Sequence, residues 1–173
     1  MLFKTIYADP PWPFDDLLDP TRRKPYQTMT LEAIENLSVS SLVEQNAHLY
    51  LWTPNVFLKE ALEVMEAWDF VYRLPLIWVK TTETGKVFFG LGHYFRNSTE
   101  LLLFGVRGKM RTLTRNTRNV VFAKREEPHS KKPEIFYKLI EANSPEPRLE
   151  LFARQKRRGW KAWGNEIDSD IIL

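Results

Sequence analysis

The chain has no cysteine, and that absence removes disulfides, thiolate-held zinc, iron–sulfur clusters and thiol nucleophiles together. Histidine is scarce as well: the 3 in the chain, His48, His93 and His129, are too scattered for a metal-ligand spacing. No apolar run approaches the ~18–20 residues of a bilayer span, and Met1-Leu2-Phe3-Lys4 lacks a leader's cationic region followed by a long apolar one. The expected setting is cytoplasmic, without metal or membrane. A third glycine is missing after Gly90-Leu91-Gly92, so there is no phosphate-cradling G-x-G-x-x-G fingerprint. Excess charge is small too, with 25 Lys plus Arg against 22 Asp plus Glu.

What is present is a chain of 173 residues, a length that suits one core and is read as a single domain, 1–173. Its 6 Trp, 6 Tyr and 11 Phe exceed what a small core needs. Phe3 to Ala8 reads as an apolar strand that must stop at Asp9, because Pro10, Pro11 and Pro13 forbid a helix or a central strand. A long polar and basic loop over 14–28 comes next, then a short helix from Thr30 to Leu37. Ala47 to Trp52 reads as a second strand, with Thr53-Pro54 as cap and first residue of a helix that carries Phe57, Ala61, Val64, Met65 and Trp68 on one face.

Further strands are expected at Val71 to Lys80, Thr99 to Gly105 and Asn119 to Ala123. Ser130 precedes a helix with Ile135, Phe136, Leu139 and Ile140 on one face, and Arg148 to Ala153 reads as the last strong strand. Strands alternating with amphipathic helices predict an α/β sheet covered on both faces, which binds ligands beyond the carboxyl ends of its strands.

Asp9-Pro10-Pro11-Trp12 occupies such an end, and its parts suit methyl transfer to the exocyclic amine of a nucleobase. That nitrogen is a poor nucleophile because its lone pair is delocalised into the ring. The Asp9 carboxylate and the Pro10 carbonyl can accept its two N–H groups and favour a pyramidal nitrogen, on a backbone that prolines stiffen. Trp12 can stack on the base. A stiff turn with an aromatic packed on it is the plain alternative.

The sequence resembles the DPPW-motif adenine N(6)-methyltransferases, the family of the catalytic subunit of the eukaryotic mRNA adenosine methyltransferase and of many bacterial and phage enzymes. Besides Asp9 to Trp12, the likeness rests on Pro25 to Met29, Leu49 to Trp52, Ile77 to Thr81, Glu100, His129 to Pro133, and Glu150 to Arg154 leading to Trp160 and Gly164-Asn165-Glu166. It implies a Rossmann-like S-adenosylmethionine-dependent methyltransferase fold, circularly permuted so that the catalytic strand precedes the cofactor-binding strand. It implies too that Lys132, Arg154, Asn165 and Glu166, together with Asp9, contact the cofactor, with Lys156 or Arg157 taking its carboxylate. Tyr26 and Glu100 fall at positions beside the substrate, with loop packing for Tyr26 and an ion pair with an Arg for Glu100 as alternatives. His129 would shape the entry of the helix after it. The family's acidic segment upstream of the motif has no counterpart in the residues before Asp9.

Acid-free basic runs point to phosphate contact, with a solvated charged face as the plain alternative: Arg107, Lys109, Arg111, Arg115, Arg118, Lys124 and Arg125; then Arg154 to Lys161; then Arg22 to Lys24. The reading is an adenine methyltransferase acting on nucleic acid, DNA favoured over RNA, on an extruded or unpaired base. A homodimer or paired subunit is expected from the resemblance. An RNA methyltransferase and a non-catalytic nucleic-acid-binding subunit are the rivals.

Overall fold

The computed structural model describes residues 1–13, 27–92, 94–125 and 131–173. Strand β1, Phe3–Ala8, is buried along all its length except Lys4. It pairs in parallel with β2, Val43–Thr53, on one side and with β6, Arg148–Leu151, on the other. A strand buried on both faces has no use for alternation, which explains its nearly unbroken apolar sequence.

Among the described residues the sheet has 7 strands, ordered β5-β3-β4-β2-β1-β6-β7, with β3 at Val71–Thr81, β4 at Thr99–Arg107, β5 at Val120–Lys124 and β7 at Trp160–Trp163. Strand β4 alone runs antiparallel to its neighbours. The carboxyl ends of the other strands therefore share one edge with the amino end of β4. The chain leaves β1 toward β2 on one side and reaches β6 on the other, so Asp9 comes directly after Ala8 at the point where the strand order reverses, where α/β sheets open a crevice.

Two cores flank the sheet. On one face Ile6, Ala8, Leu49, Leu51, Leu103 and Leu149 pack beneath α1, Leu31–Glu35, and α2, Leu58–Ala67. On the other Tyr7, Tyr50, Trp52, Trp78, Leu102 and Phe104 pack beneath α3, Glu134–Asn143. Among the described residues no helix is long and apolar enough to cross a membrane.

Several sequence expectations need correction. Thr30 does cap α1, accepting from the Ala33 amide at 3.1 Å, but Thr53 does not cap α2. Its hydroxyl donates to the Pro54 carbonyl, and a 3-10 turn over Asn55–Phe57 comes before the helix. Ile135 is exposed, and Tyr137 takes its place inward with Phe136 and Ile140. The sequence pattern ends the sheet at Ala153, whereas β6 stops at Leu151 and β7 continues the sheet in parallel after a helix-free connection over 152–159. Ser130 and His129 lie outside the described residues.

Candidate active site

A cavity of about 610 Å³ lies at the shared edge. Its walls come from the residues just past β1 (Asp9 to Trp12), β2 (Pro54), β6 (Phe152 to Arg154) and β7 (Asn165, Glu166), with Lys80 at the end of β3 and Thr99 and Glu100 opening β4. Lys132, just before α3, completes the wall.

The motif is held as a rigid arch. The Trp12 amide donates to the Pro10 carbonyl at 2.9 Å, a three-residue turn centred on Pro11, and the Met29 amide donates to the Pro11 carbonyl at 2.9 Å. Trp12 is 3% exposed; its indole N–H donates to the Trp52 carbonyl at 2.9 Å and its ring stacks on Phe57 at 5.8 Å and 14°. The expected free stacking face is thus largely taken, and Trp12 anchors the arch as a packed wall of the cavity. Beneath it the Trp52 indole donates to the Tyr7 hydroxyl at 2.7 Å.

Charges in the cavity are paired. Lys132 Nζ lies 3.0 Å from Asp9 Oδ2 and 2.7 Å from Glu100 Oε1, and Lys80 Nζ lies 2.9 Å from Glu100 Oε2. Two carboxylates and two ammonium groups thus form a neutral chain. Lys132 also sits 5.1 Å from the centre of the Trp52 ring and Lys80 4.9 Å from that of Trp78. Burial raises the Asp9 carboxyl above its ordinary value and Glu100 adds to this, while Lys132 pulls it down. Burial would raise Glu100 as well, but Lys132 and Lys80 outweigh it and hold it below the usual carboxylate range. Lys132, despite burial, is raised by its two carboxylates. Lysines satisfy Glu100, where the sequence suggested an arginine.

The far side of the cavity is formed where β6 and β7 end. Phe152 adopts a φ of 62°, a left-handed conformation an aromatic residue rarely takes, and its ring meets Trp163 edge-on at 5.4 Å. The Ala153 amide donates to the Trp163 carbonyl at 2.9 Å, and a Cβ on Gly164 would collide with the Ala153 carbonyl. The two strand ends are therefore laced closely, which brings Arg154, Asn165 and Glu166 to one wall; Arg154 Nε lies 3.6 Å from Glu166 Oε1. A guanidinium, a side-chain amide and a carboxylate suit a ligand that carries a carboxylate and hydroxyls.

Other predicted residues are placed elsewhere. Lys156 pairs with Asp170 at 2.8 Å. Arg157 makes a two-pronged pair with Glu134 and stacks on Tyr137 at 3.8 Å. Neither lines the cavity, so the cofactor contact expected of Lys156 or Arg157 is replaced by these structural pairs. Arg107, opposite Ala47 in the β2–β4 register, lies at the other edge of the sheet, where it donates to the Ser40 and Val43 carbonyls and pairs with Asp69. The Lys109 amide donates to Asn46 there, Arg111 comes next in the same segment, and Arg115 and Arg118 line a separate cavity of about 270 Å³ with Tyr50 and Phe104. None of these five lines the active-site cavity; the antiparallel course of β4 carries its basic end away from Glu100. Tyr26 and Arg22 to Lys24 lie outside the described residues.

Lys80 and Glu150 were missed. Lys80 ends an apolar strand and carries no local mark of its partner, Glu100. Glu150, 8% exposed, accepts from the Tyr137 hydroxyl at 2.7 Å, and burial pushes its carboxyl up to about 7.

With this geometry in view, the likeness to known proteins becomes specific. The MT-A70 family profile matches residues 3–166. A probable N(6)-adenosine-methyltransferase MT-A70-like of Oryza sativa subsp. japonica is 31% identical over 175 residues, spanning 96% of this chain and 23% of its own length. Type II methyltransferase M.MunI of a Mycoplasma species is 28% identical over 193 residues, covering 98% of this chain and 80% of its own. The human N(6)-adenosine-methyltransferase catalytic subunit METTL3 is 28% identical over 180 residues, 99% of this chain and 29% of its own. The chain thus spans less than a third of the length of the plant and animal relatives it matches.

Proposed function

The chain belongs to the MT-A70 family, and on that premise we propose that it is an S-adenosylmethionine-dependent adenine N(6)-methyltransferase of nucleic acid, with DNA favoured over RNA. The observation that carries the reading is Asp9, which lies just past the central strand, opens on the cavity and has one oxygen held by Lys132. The preference for DNA rests on the type II methyltransferase, 80% of whose length the chain spans. The N(6)-adenosine-methyltransferase relatives favour RNA as the second reading.

S-Adenosylmethionine fits the residues present. Arg154 suits its carboxylate, Asn165 and Glu166 its hydroxyls and amines, and Phe152 its apolar faces, and the cavity is roomy enough for donor and base together. When bound, it supplies an electrophilic methyl group on a sulfonium sulfur. Asp9 Oδ2 is engaged with Lys132, which leaves Oδ1 to accept one N–H of the adenine amine. The Pro10 carbonyl already accepts from Trp12, and its second lone pair takes the other N–H. Two fixed acceptors turn the nitrogen's lone pair out of conjugation with the ring. The amine gives up its surplus proton once it is cationic, and the Asp9 carboxylate is the acceptor the site offers. A base within a duplex must first be extruded, at ~ a few kcal/mol.

A paired assembly is part of the proposal, supported by the word subunit in the names of two animal relatives. The test is methyl transfer from labelled S-adenosylmethionine to matched adenine-containing DNA and RNA oligonucleotides, with Asp9→Ala as control. Transfer that survives Asp9→Ala overturns the mechanism, a clear preference for RNA overturns the choice of DNA, and failure to bind S-adenosylmethionine revives a non-catalytic subunit.

A further inference from the structure

Between β3 and β4 the chain makes an excursion whose two ends meet on one cavity residue. The Phe88 amide donates to the Lys80 carbonyl at 2.7 Å, and the Lys80 amide donates to the Ser98 carbonyl at 2.9 Å. Whatever the excursion carries is therefore held beside the mouth of the active site. A turn closed by Thr82 and Lys86 begins it, and Asn97, another cavity residue, accepts from Asn55 at 2.9 Å near its end. Gly90 and Gly92 approach the carbonyls of Asn97 and Phe95 so closely that a Cβ on either would collide, so the segment doubles back on itself in a set shape.

The excursion carries a set of uncovered rings. Phe89 is 74% exposed, and Tyr94 and Phe95 are each 89% exposed. Large aromatic side chains left in water at the rim of a cleft mark a binding surface. Cations are interleaved with them: Arg96 lies over Phe89 at 4.9 Å, and Arg125 lies over Phe88 at 4.7 Å. The segment's one acid, Glu83, is paired with Lys124 at 3.2 Å, which leaves Lys86 and Arg96 to set its charge. The core of a protein–protein interface is enriched in Phe, Tyr and Arg as well but depleted in Lys, which this surface carries at position 86. Rings interleaved with cations instead suit single-stranded nucleic acid, whose bases stack on aromatic faces and on guanidinium planes while its phosphates pair with the charge.

We propose that residues 86–92 and 94–96 form a stacking platform for unpaired nucleotides beyond the immediate neighbours of the target adenine, with bases on Phe89, Tyr94 and Phe95 and phosphates on Lys86 and Arg96. The inference deepens the proposed function and rests on its nucleic-acid substrate. It also assigns a task to the aromatic surplus and moves substrate contact from the run beginning at Arg107 to the opposite edge of the sheet.

The full chain carrying Phe89→Ala, Tyr94→Ala and Phe95→Ala together is compared with wild type on a single-stranded adenine-containing DNA of about twelve nucleotides and on a trinucleotide too short to reach the platform. Stacking on one ring is worth about tenfold in affinity, so KM and the dissociation constant by fluorescence anisotropy for the longer strand should rise at least about thirtyfold. The kcat at saturation, the S-adenosylmethionine affinity and the trinucleotide KM should stay within about twofold, and replacement by other aromatics (Phe89→Tyr, Tyr94→Phe, Phe95→Tyr) should restore tight binding. Unchanged affinity for the longer strand overturns the platform, as does an affinity that changes only together with the assembly's mass, which would make the rings a contact between copies. If wild type transfers no methyl group, the proposed activity fails while anisotropy still decides the platform.

Discussion

Lys132 lies 3.0 Å from Asp9, and this pair joins the amino end of α3 to the carboxyl end of β1. Glu100, at the start of β4 and 2.7 Å from the same ammonium, secures it as well, and Lys80 secures Glu100. The carboxylate proposed to accept the substrate amine is thus fixed by charges drawn from β1, β3, β4 and the approach to α3.

Lys132→Met would leave Asp9 and Glu100 facing each other without the cation between them. Uncompensated buried charge of this kind costs about 3–5 kcal/mol, to be read as a lowered midpoint in urea. Asp9, already raised by burial, would rise further once Lys132 no longer opposes the shift. In the proposed mechanism the active form is the carboxylate, so the acidic limb of the pH–rate profile should move to higher pH. A limb that stays in place would mean that Lys132 does not tune Asp9.

Arg107→Ala separates the structural reading of the basic run from the substrate reading. The guanidinium donates to the Ser40 and Val43 carbonyls, and its loss strands those acceptors, for a destabilisation of about 1–3 kcal/mol. KM for oligonucleotide should remain within about twofold. A KM that rises strongly with stability unchanged would return Arg107 to the substrate path.

Such cases mark the boundary of what was legible in the sequence. The place of Asp9 to Trp12 on the cavity wall could be read because the four residues are contiguous and sit at the end of a strand that prolines stop. The ion chain could not, since Asp9, Lys80, Glu100 and Lys132 meet only when separate strands align at one edge. A basic run says nothing about which edge it occupies: the apolar pattern of β4 is the same in either direction, and its antiparallel course sends Arg107 away from the site. Strand β7 escaped notice because it has four residues and includes Lys161, although Trp160 and Ala162 alternate inward as a strand requires.

Glu150 should impose a pH dependence on stability. Its carboxyl is pushed up to about 7 by burial, above the 4.5 expected of a free glutamate, even though the Tyr137 hydroxyl and Arg157 favour the charged form. Between those two values the unfolded chain holds fewer protons than the native one, so this group's contribution to stability falls as pH rises from about 4.5 to about 7. The span corresponds to a few kcal/mol at most, on the order of 3. Glu150→Gln keeps an acceptor for Tyr137 and cannot ionise. Its denaturation midpoints at pH 5 and pH 8 should differ less than those of wild type, and equal pH dependence in both proteins would refute the assignment.

Gly164→Ala tests whether the laced ends of β6 and β7 shape the cofactor wall. A Cβ there would meet the carbonyl oxygen and amide nitrogen of Ala153, backbone atoms that can yield only if the strand ends part. Parting them moves Arg154 on one side and Asn165 and Glu166 on the other, the groups that would grip the two ends of S-adenosylmethionine. Overpacking should cost about 1–3 kcal/mol of stability. A misplacement near 1 Å in a binding constellation also costs up to about a hundredfold. S-Adenosylmethionine affinity by calorimetry should therefore fall at least about tenfold, while the dissociation constant for oligonucleotide, whose proposed platform lies between β3 and β4, changes little. Equal losses for both ligands would show general unfolding and not a local role for Gly164.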